Sequence, residues 1–159
     1  MGVGMPGSAA RIRADIDAYG WHVIKVAPDV EGPGFAYSIG LHESFGHAEV
    51  IIFGLPLDVM HTMINTVGDE VRRGIGFGDG SVSDEVLEGR PVRFRAVRPV
   101  HFGEFVGQAA EYYGLDGFAV LQCYWPDTSG RFPWQPGCSR IVVESQPSLQ
   151  VEDAGGSRA

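Results

Sequence analysis

Gly32-Pro-Gly-Phe-Ala-Tyr-Ser-Ile-Gly-Leu-His-Glu-Ser-Phe-Gly-His-Ala-Glu-Val-Ile-Ile-Phe-Gly-Leu55 is the stretch on which the fold turns. Aromatic and β-branched residues gather at its two ends, which predicts strands over Phe35–Leu41 and Val50–Leu55. Between them lies a polar link carrying His42, Glu43, His47 and Glu49. A connection this short predicts that the two strands pair antiparallel.

Upstream, Ser8 and Gly20 bracket a helix expected over Ala9–Tyr19, with Ile12, Ile16 and Tyr19 on one face. Trp21–Ala27 alternates as a strand whose two faces are both largely apolar, which predicts an interior position. Downstream, Pro56 opens a long helix to Arg73. Its stripe is Leu57, Met60, Ile64, Val67 and Val71, and His61 sits at the edge as a boundary residue. The glycine-rich run Gly74–Gly89 reads as a surface loop. It lacks the strand, helix and spacing of a dinucleotide or phosphate-binding turn.

Pro91–Val97 is an alternating strand with Val92, Phe94 and Ala96 inward. Phe102–Tyr113 reads as a third helix carrying Phe105, Val106, Ala109 and Tyr113 inward, and Phe118–Tyr124 as a fifth strand. Pro126-Asp127 to Gly130 signals a turn, predicting a hairpin over Trp125–Gly137, and Arg140–Glu144 a short sixth strand. These elements predict an α+β fold: a single domain with a largely antiparallel sheet of five or six strands and two or three packed helices. The domain is expected over 8–146, between a flexible start at 1–7 and a disordered tail at 147–159.

Composition narrows the possible partners. A chain of 159 residues can bury about two-thirds of the surface its unfolded form exposes, enough for one core. Its net charge of −8 and single lysine, Lys25, argue against nucleic acid and against an acidic membrane surface. No apolar run approaches the roughly eighteen residues needed to cross a bilayer, and the first residues lack the pattern of a secretory signal. A cytoplasmic protein with reduced Cys123 and Cys138 is expected.

The link holds the densest group of reactive side chains. His42-Glu43-Ser44-Phe45-Gly46-His47 is one residue too long for the zinc-protease motif, whose histidines share a helical face at i and i+4. A metal-dependent hydrolase could still use His47 and Glu49 with His22 or His101. His47-Ala-Glu49 lacks the paired cysteines of a zinc deaminase. No nucleophile elbow is present, and Ser38 falls inside a strand. Cys123 reads as a packing residue and Cys138 as the more reactive thiol. Separately, Tyr124, Trp125, Phe132 and Trp134 surround Arg131, a composition that suits a planar or anionic ligand.

Five blocks in order resemble a bacterial family, domain of unknown function four-two-six-two. They are Ala14–Trp21, Gly32–Leu41, Phe45–Val50, Phe53–Pro56 and Trp125–Asp127 with Gly130–Trp134. The resemblance covers about residues 10 to 145 and implies a single α/β domain with no assigned activity. Tyr37, Ser38, Phe45, His47, Glu49, Trp125, Arg131 and Trp134 match its recurring positions, whereas His42 and Glu43 do not.

The expected function is therefore binding of a small molecule or peptide. The pocket would be roofed by Trp125, Arg131 and Trp134 and floored by Tyr37, Ser38, His47 and Glu49. The metal-dependent hydrolase is one alternative, and an antitoxin-like or immunity-like interaction protein is the other. Asp29, Glu31 and Asp127 could line the same end of the sheet. No residue pattern specifies a cofactor or an oligomeric state.

Overall fold

The computed structural model describes residues 4–150. One mostly antiparallel six-stranded sheet forms its centre, built from β1 (His22–Val26), β2 (Phe35–Ile39), β3 (Glu49–Phe53), β4 (Val82–Leu87), β5 (Arg90–Ala96) and β6 (Val120–Tyr124). The spatial order is β1-β2-β3-β6-β5-β4. Only β3 and β6 run parallel; the other neighbours are antiparallel, including β2 with β3 as the short link requires. Among the described residues there are six helices: α1 (Gly4–Tyr19), α2 (Leu41–Phe45), α3 (Leu57–Arg72), α4 (Phe102–Phe105), α5 (Gly107–Tyr113) and α6 (Arg140–Ser145).

The sheet has a core on each face. On one, α3 lays Met60, Met63, Ile64, Val67 and Val71 over Ala36, Val50, Ile52, Val92, Phe94 and Leu121, and α6 adds Val142. Each such side chain fully removed from water stabilises the fold by roughly 1.5–3 kcal/mol. On the other, Ile12 and Ile16 of α1, Phe102 of α4, Ala109 of α5 and Val106 between those two helices cover Tyr37, Ile39, Ile51, Phe53 and Val120. The helix α3 approaches Trp21 so closely at Gly68 that a Cβ there would stand 2.5 Å from the indole ring. Glycine is required at that crossing.

Several expectations give way to tertiary context. The strand β1 is an edge strand rather than an interior one, and α1 and α3 flank it. The 42–49 link contains α2, stopped by Gly46 in the left-handed conformation. The Gly74–Gly89 run holds β4, whose exposed Asp84 and Glu85 hid it as a strand. Such charges are what an open sheet edge needs against further pairing. The 102–113 helix is broken at Val106 (φ −120°, ψ 44°) into α4 and α5.

Residues 140–145 are helix α6, not a strand. The Gln146 side chain meets both backbone groups of Trp125, donating to its carbonyl at 2.8 Å and accepting its amide at 3.0 Å. The chain leaving β6 therefore needs no strand partner there. Trp125–Gly137 is an irregular segment and not a hairpin. At the N-terminus α1 already covers residues 4–7. The tail expected from 147 docks first: Leu149 is buried, its carbonyl accepts the Arg98 amide, and Gln150 bridges Val97. Residues 151–159 and 1–3 of the expected tail and start lie outside the described residues.

Candidate functional site

Glu49 opens β3 fully buried, and its carboxylate is enclosed by donors. Ser38 Oγ donates to Oε1 at 2.6 Å and Tyr113 Oη to Oε2 at 2.6 Å. The amides of Gly40, Leu41 and His42 add bonds of 2.9, 3.2 and 3.1 Å. Burial pushes the carboxyl upward, and the bonds from Ser38, Tyr113, Gly40 and His42 oppose that push. Burial and the adjacent Glu49 push the Tyr113 hydroxyl up as well, which keeps it a donor. All this binding capacity is turned inward, so the group ties the β2–β3 link to α5.

His47 is equally occupied. Its Nδ1 lies 2.8 Å from the Ala48 carbonyl and its Nε2 accepts the Phe77 amide at 3.0 Å, which anchors the glycine-rich segment. Tyr37 is buried with its hydroxyl accepting the Gln108 amide at 3.3 Å, and burial pushes it up to about 12. His101 is half-buried in a 3-10 turn, its ring 6.5 Å from that of Phe105. The proposed ligand set His22, His47, Glu49 and His101 does not fit a metal ion. Among the described residues no three His, Cys, Asp or Glu side chains are grouped to hold one.

The aromatic residues lie at the other end of the sheet. Trp125 is buried and donates its indole N–H to the Phe53 carbonyl at 2.7 Å, where β3 ends. The Glu49 cluster sits where β3 begins, four residues before Phe53, about 13 Å away at the usual strand rise. The expected roof and floor therefore do not enclose one hollow. Trp134 stacks on Phe132 at 5.3 Å and meets Tyr124 edge-on at 5.0 Å. The guanidinium groups beside these rings belong to Arg95 and Arg93, each 6.0 Å from a ring centroid. Arg131 itself is exposed.

Asp127 organises this segment by accepting the amides of Ser129, Arg131 and Ser139, each at 2.9 Å. Cys123 and Cys138 are unbridged, and burial pushes both thiols up, so neither is an activated nucleophile.

The polar concavity lies elsewhere. A cleft of about 390 Å³ opens between α1, β1 and α3, with Asp15, Trp21, His22, His61, Asn65 and Asp69 in its lining. Asp15 projects from α1, and seven residues later, past the turn at Gly20, His22 begins β1. Their side chains meet with Nδ1 of His22 2.6 Å from Asp15 Oδ2. That carboxylate holds the imidazole as the Nδ1–H form and leaves Nε2 without a hydrogen-bond partner among the described residues. A carboxylate-oriented imidazole of this kind can accept a hydrogen bond or a proton at Nε2.

Side-chain contacts tie the rest of the wall together. Trp21 donates its indole N–H to Asn65 Oδ1 at 2.9 Å. The Arg72 guanidinium lies 4.8 Å above the Trp21 ring and donates to the Tyr19 carbonyl. His61 is held below the usual histidine range, first by burial and then by Lys25 and His22. Among the described residues its ionisable lining side chains are Asp15, Tyr19, His22, His61, Asp69 and Arg72.

Sequence reasoning reached His22 only as a metal ligand. It missed Asp15, Asn65 and Asp69, because the turn at Gly20 and the packing of α3 on Trp21 bring them together. The one signal was Asp15 within the Ala14–Trp21 block.

The chain belongs to the family described as Domain of unknown function (DUF4262), whose model matches residues 15–139. No curated protein and no solved structure matches it.

Proposed function

We propose that this member of a family without an assigned activity binds a small polar molecule in the cleft between α1, β1 and α3. Recognition centres on His22. The observation that carries the reading is the 2.6 Å Asp15–His22 pair on the wall of a cavity of about 390 Å³. Such a pair orients one ring nitrogen and leaves the other to a ligand. Asp69 offers a further acceptor and the Asn65 NH2 a donor, so the suited ligand carries O–H or N–H donors together with an acceptor. No described helix is long and apolar enough to span a bilayer.

The test is ligand-observed NMR with a panel of amino acids, polyols, small amines and nucleosides. It would be run on the unmodified protein and on the variants His22→Gln and Asp15→Asn. At least one compound should receive saturation from the protein and lose it in both variants. A panel that shows no transfer, or transfer unchanged by His22→Gln, would overturn the reading.

A further inference from the structure

A second hollow, of about 350 Å³, lies at the opposite end of β1, beneath the β1–β2 connection and beside α4. Its floor is aromatic. Phe35, Phe53 and Phe105 meet one another with centroids 5.1, 5.6 and 5.3 Å apart, two of the three contacts edge to face. Phe53 is buried, whereas Phe35 and Phe105 are only half-buried and keep ring surface toward the opening. The rim is acidic, with Asp29 and Glu31 on one side and Glu104 on the other.

These three carboxylates have no cationic partner among the described residues, and no Lys or Arg lines the hollow. The Asp29 carboxylate also accepts the Glu31 amide at 2.8 Å, while the backbones of Asp29 and Gly32 pair across the turn. Two of the charges therefore stand on a defined turn.

An aromatic floor under an uncompensated acidic rim selects by charge and by shape together. An anion is repelled by the rim and a fully polar cation forfeits the floor. A bare metal ion finds no gathered set of three ligands among the described residues. A molecule with one ammonium or guanidinium group on an apolar body satisfies both surfaces. Its charge meets the carboxylates while its body covers the rings, with a cation–π contribution where the charge nears a ring face. The chain's net charge of −8 adds long-range attraction of the same sign.

We infer that this hollow is a binding site for a small organic cation. It is separate from the cleft at His22, since the two lie at either end of a five-residue strand, and the inference does not depend on the function proposed for that cleft.

The probe is phenethylammonium, followed by amide chemical-shift perturbation on the whole chain, with 2-phenylethanol and 3-phenylpropionate as neutral and anionic counterparts. Phenethylammonium should move the amides of residues 29–35 and 102–106 and leave those around His22 in place. The alcohol should bind more weakly and the acid least. The double variant Asp29→Asn/Glu104→Gln carries only exposed, isosteric changes. It should weaken the amine about three- to tenfold, as expected for removing two solvent-facing charge contacts, and bring it close to the alcohol. Equal binding of amine and alcohol, shifts confined to other residues, or no shift at millimolar amine would each overturn the inference. Unchanged affinity in the double variant would do the same.

Discussion

Ser38 Oγ donates a hydrogen bond to Glu49 Oε1 at 2.6 Å and itself accepts the Val50 amide at 3.0 Å. One small side chain thus completes the β2–β3 ladder where regular pairing ends, and it also satisfies a buried carboxylate. The densest group of reactive residues in the chain is, by this geometry, a clamp between two strands, α2 and α5.

Replacing Glu49 by Gln tests the clamp. The amide places N–H groups against the five donors that surround the carboxyl oxygens, leaving at least one buried polar group unmatched. Denaturant unfolding should show a loss of about 2–4 kcal/mol. Ser38→Ala should cost about 1–3 kcal/mol by the same reasoning. Stability within a few tenths of a kcal/mol of the parent for Glu49→Gln would mean the carboxylate is not enclosed as described.

The contact between Gly68 and Trp21 leaves no room for a methyl group, since a Cβ would lie 2.5 Å from the indole. Alanine usually favours a helix over glycine, but here Gly68→Ala should destabilise the protein by about 1–3 kcal/mol through overpacking. Trp21 forms a wall of the His22 cleft, so the variant should also change its fluorescence. A stabilised variant would contradict this packing.

Asp127 carries the acid sensitivity of the segment after β6. The backbone amides of Arg131 and Ser139 hold its carboxyl below the usual range. Its contribution is therefore complete above the ordinary carboxylate value and is lost as pH falls through that value and below. Asp127→Asn should lower the neutral plateau of a stability–pH curve and flatten its acid limb, because the contribution that acid removes is already gone. An acid limb as steep as the parent's would assign the sensitivity to other groups.

His47 should prove to be an anchor for a loop. Without its Nε2, the Phe77 amide loses its acceptor. His47→Ala should therefore speed hydrogen exchange at Phe77 and the neighbouring glycines while α3 amides keep their protection. Metal content that fell on this substitution would contradict the assignment.

Much of the architecture was legible because it rests on local periodicity. The three-and-four spacing of Met60, Ile64, Val67 and Val71 specified α3, and the alternation of Val92 and Phe94 specified β5 with its inward face. Where local pattern and tertiary need diverged, the pattern misled. The β-branched run Ile141-Val-Val143 is helical, with only Val142 buried. The polar stretch Val82–Leu87 is a strand because β5 offers an edge to pair with.

By itself the sequence determined the class of fold, the antiparallel central pair and the net acidity of the chain, all of which follow from residue type and spacing along the chain. Only the tertiary structure decided which reactive side chains face a cavity. It enclosed Glu49 and His47 in hydrogen bonds, parted the tryptophan segment from the β2–β3 link by the length of β3, and set Asp15 against His22. The physical reason is that a side chain's availability depends on what its neighbours in space take from it, and those neighbours are chosen by packing across the whole sheet.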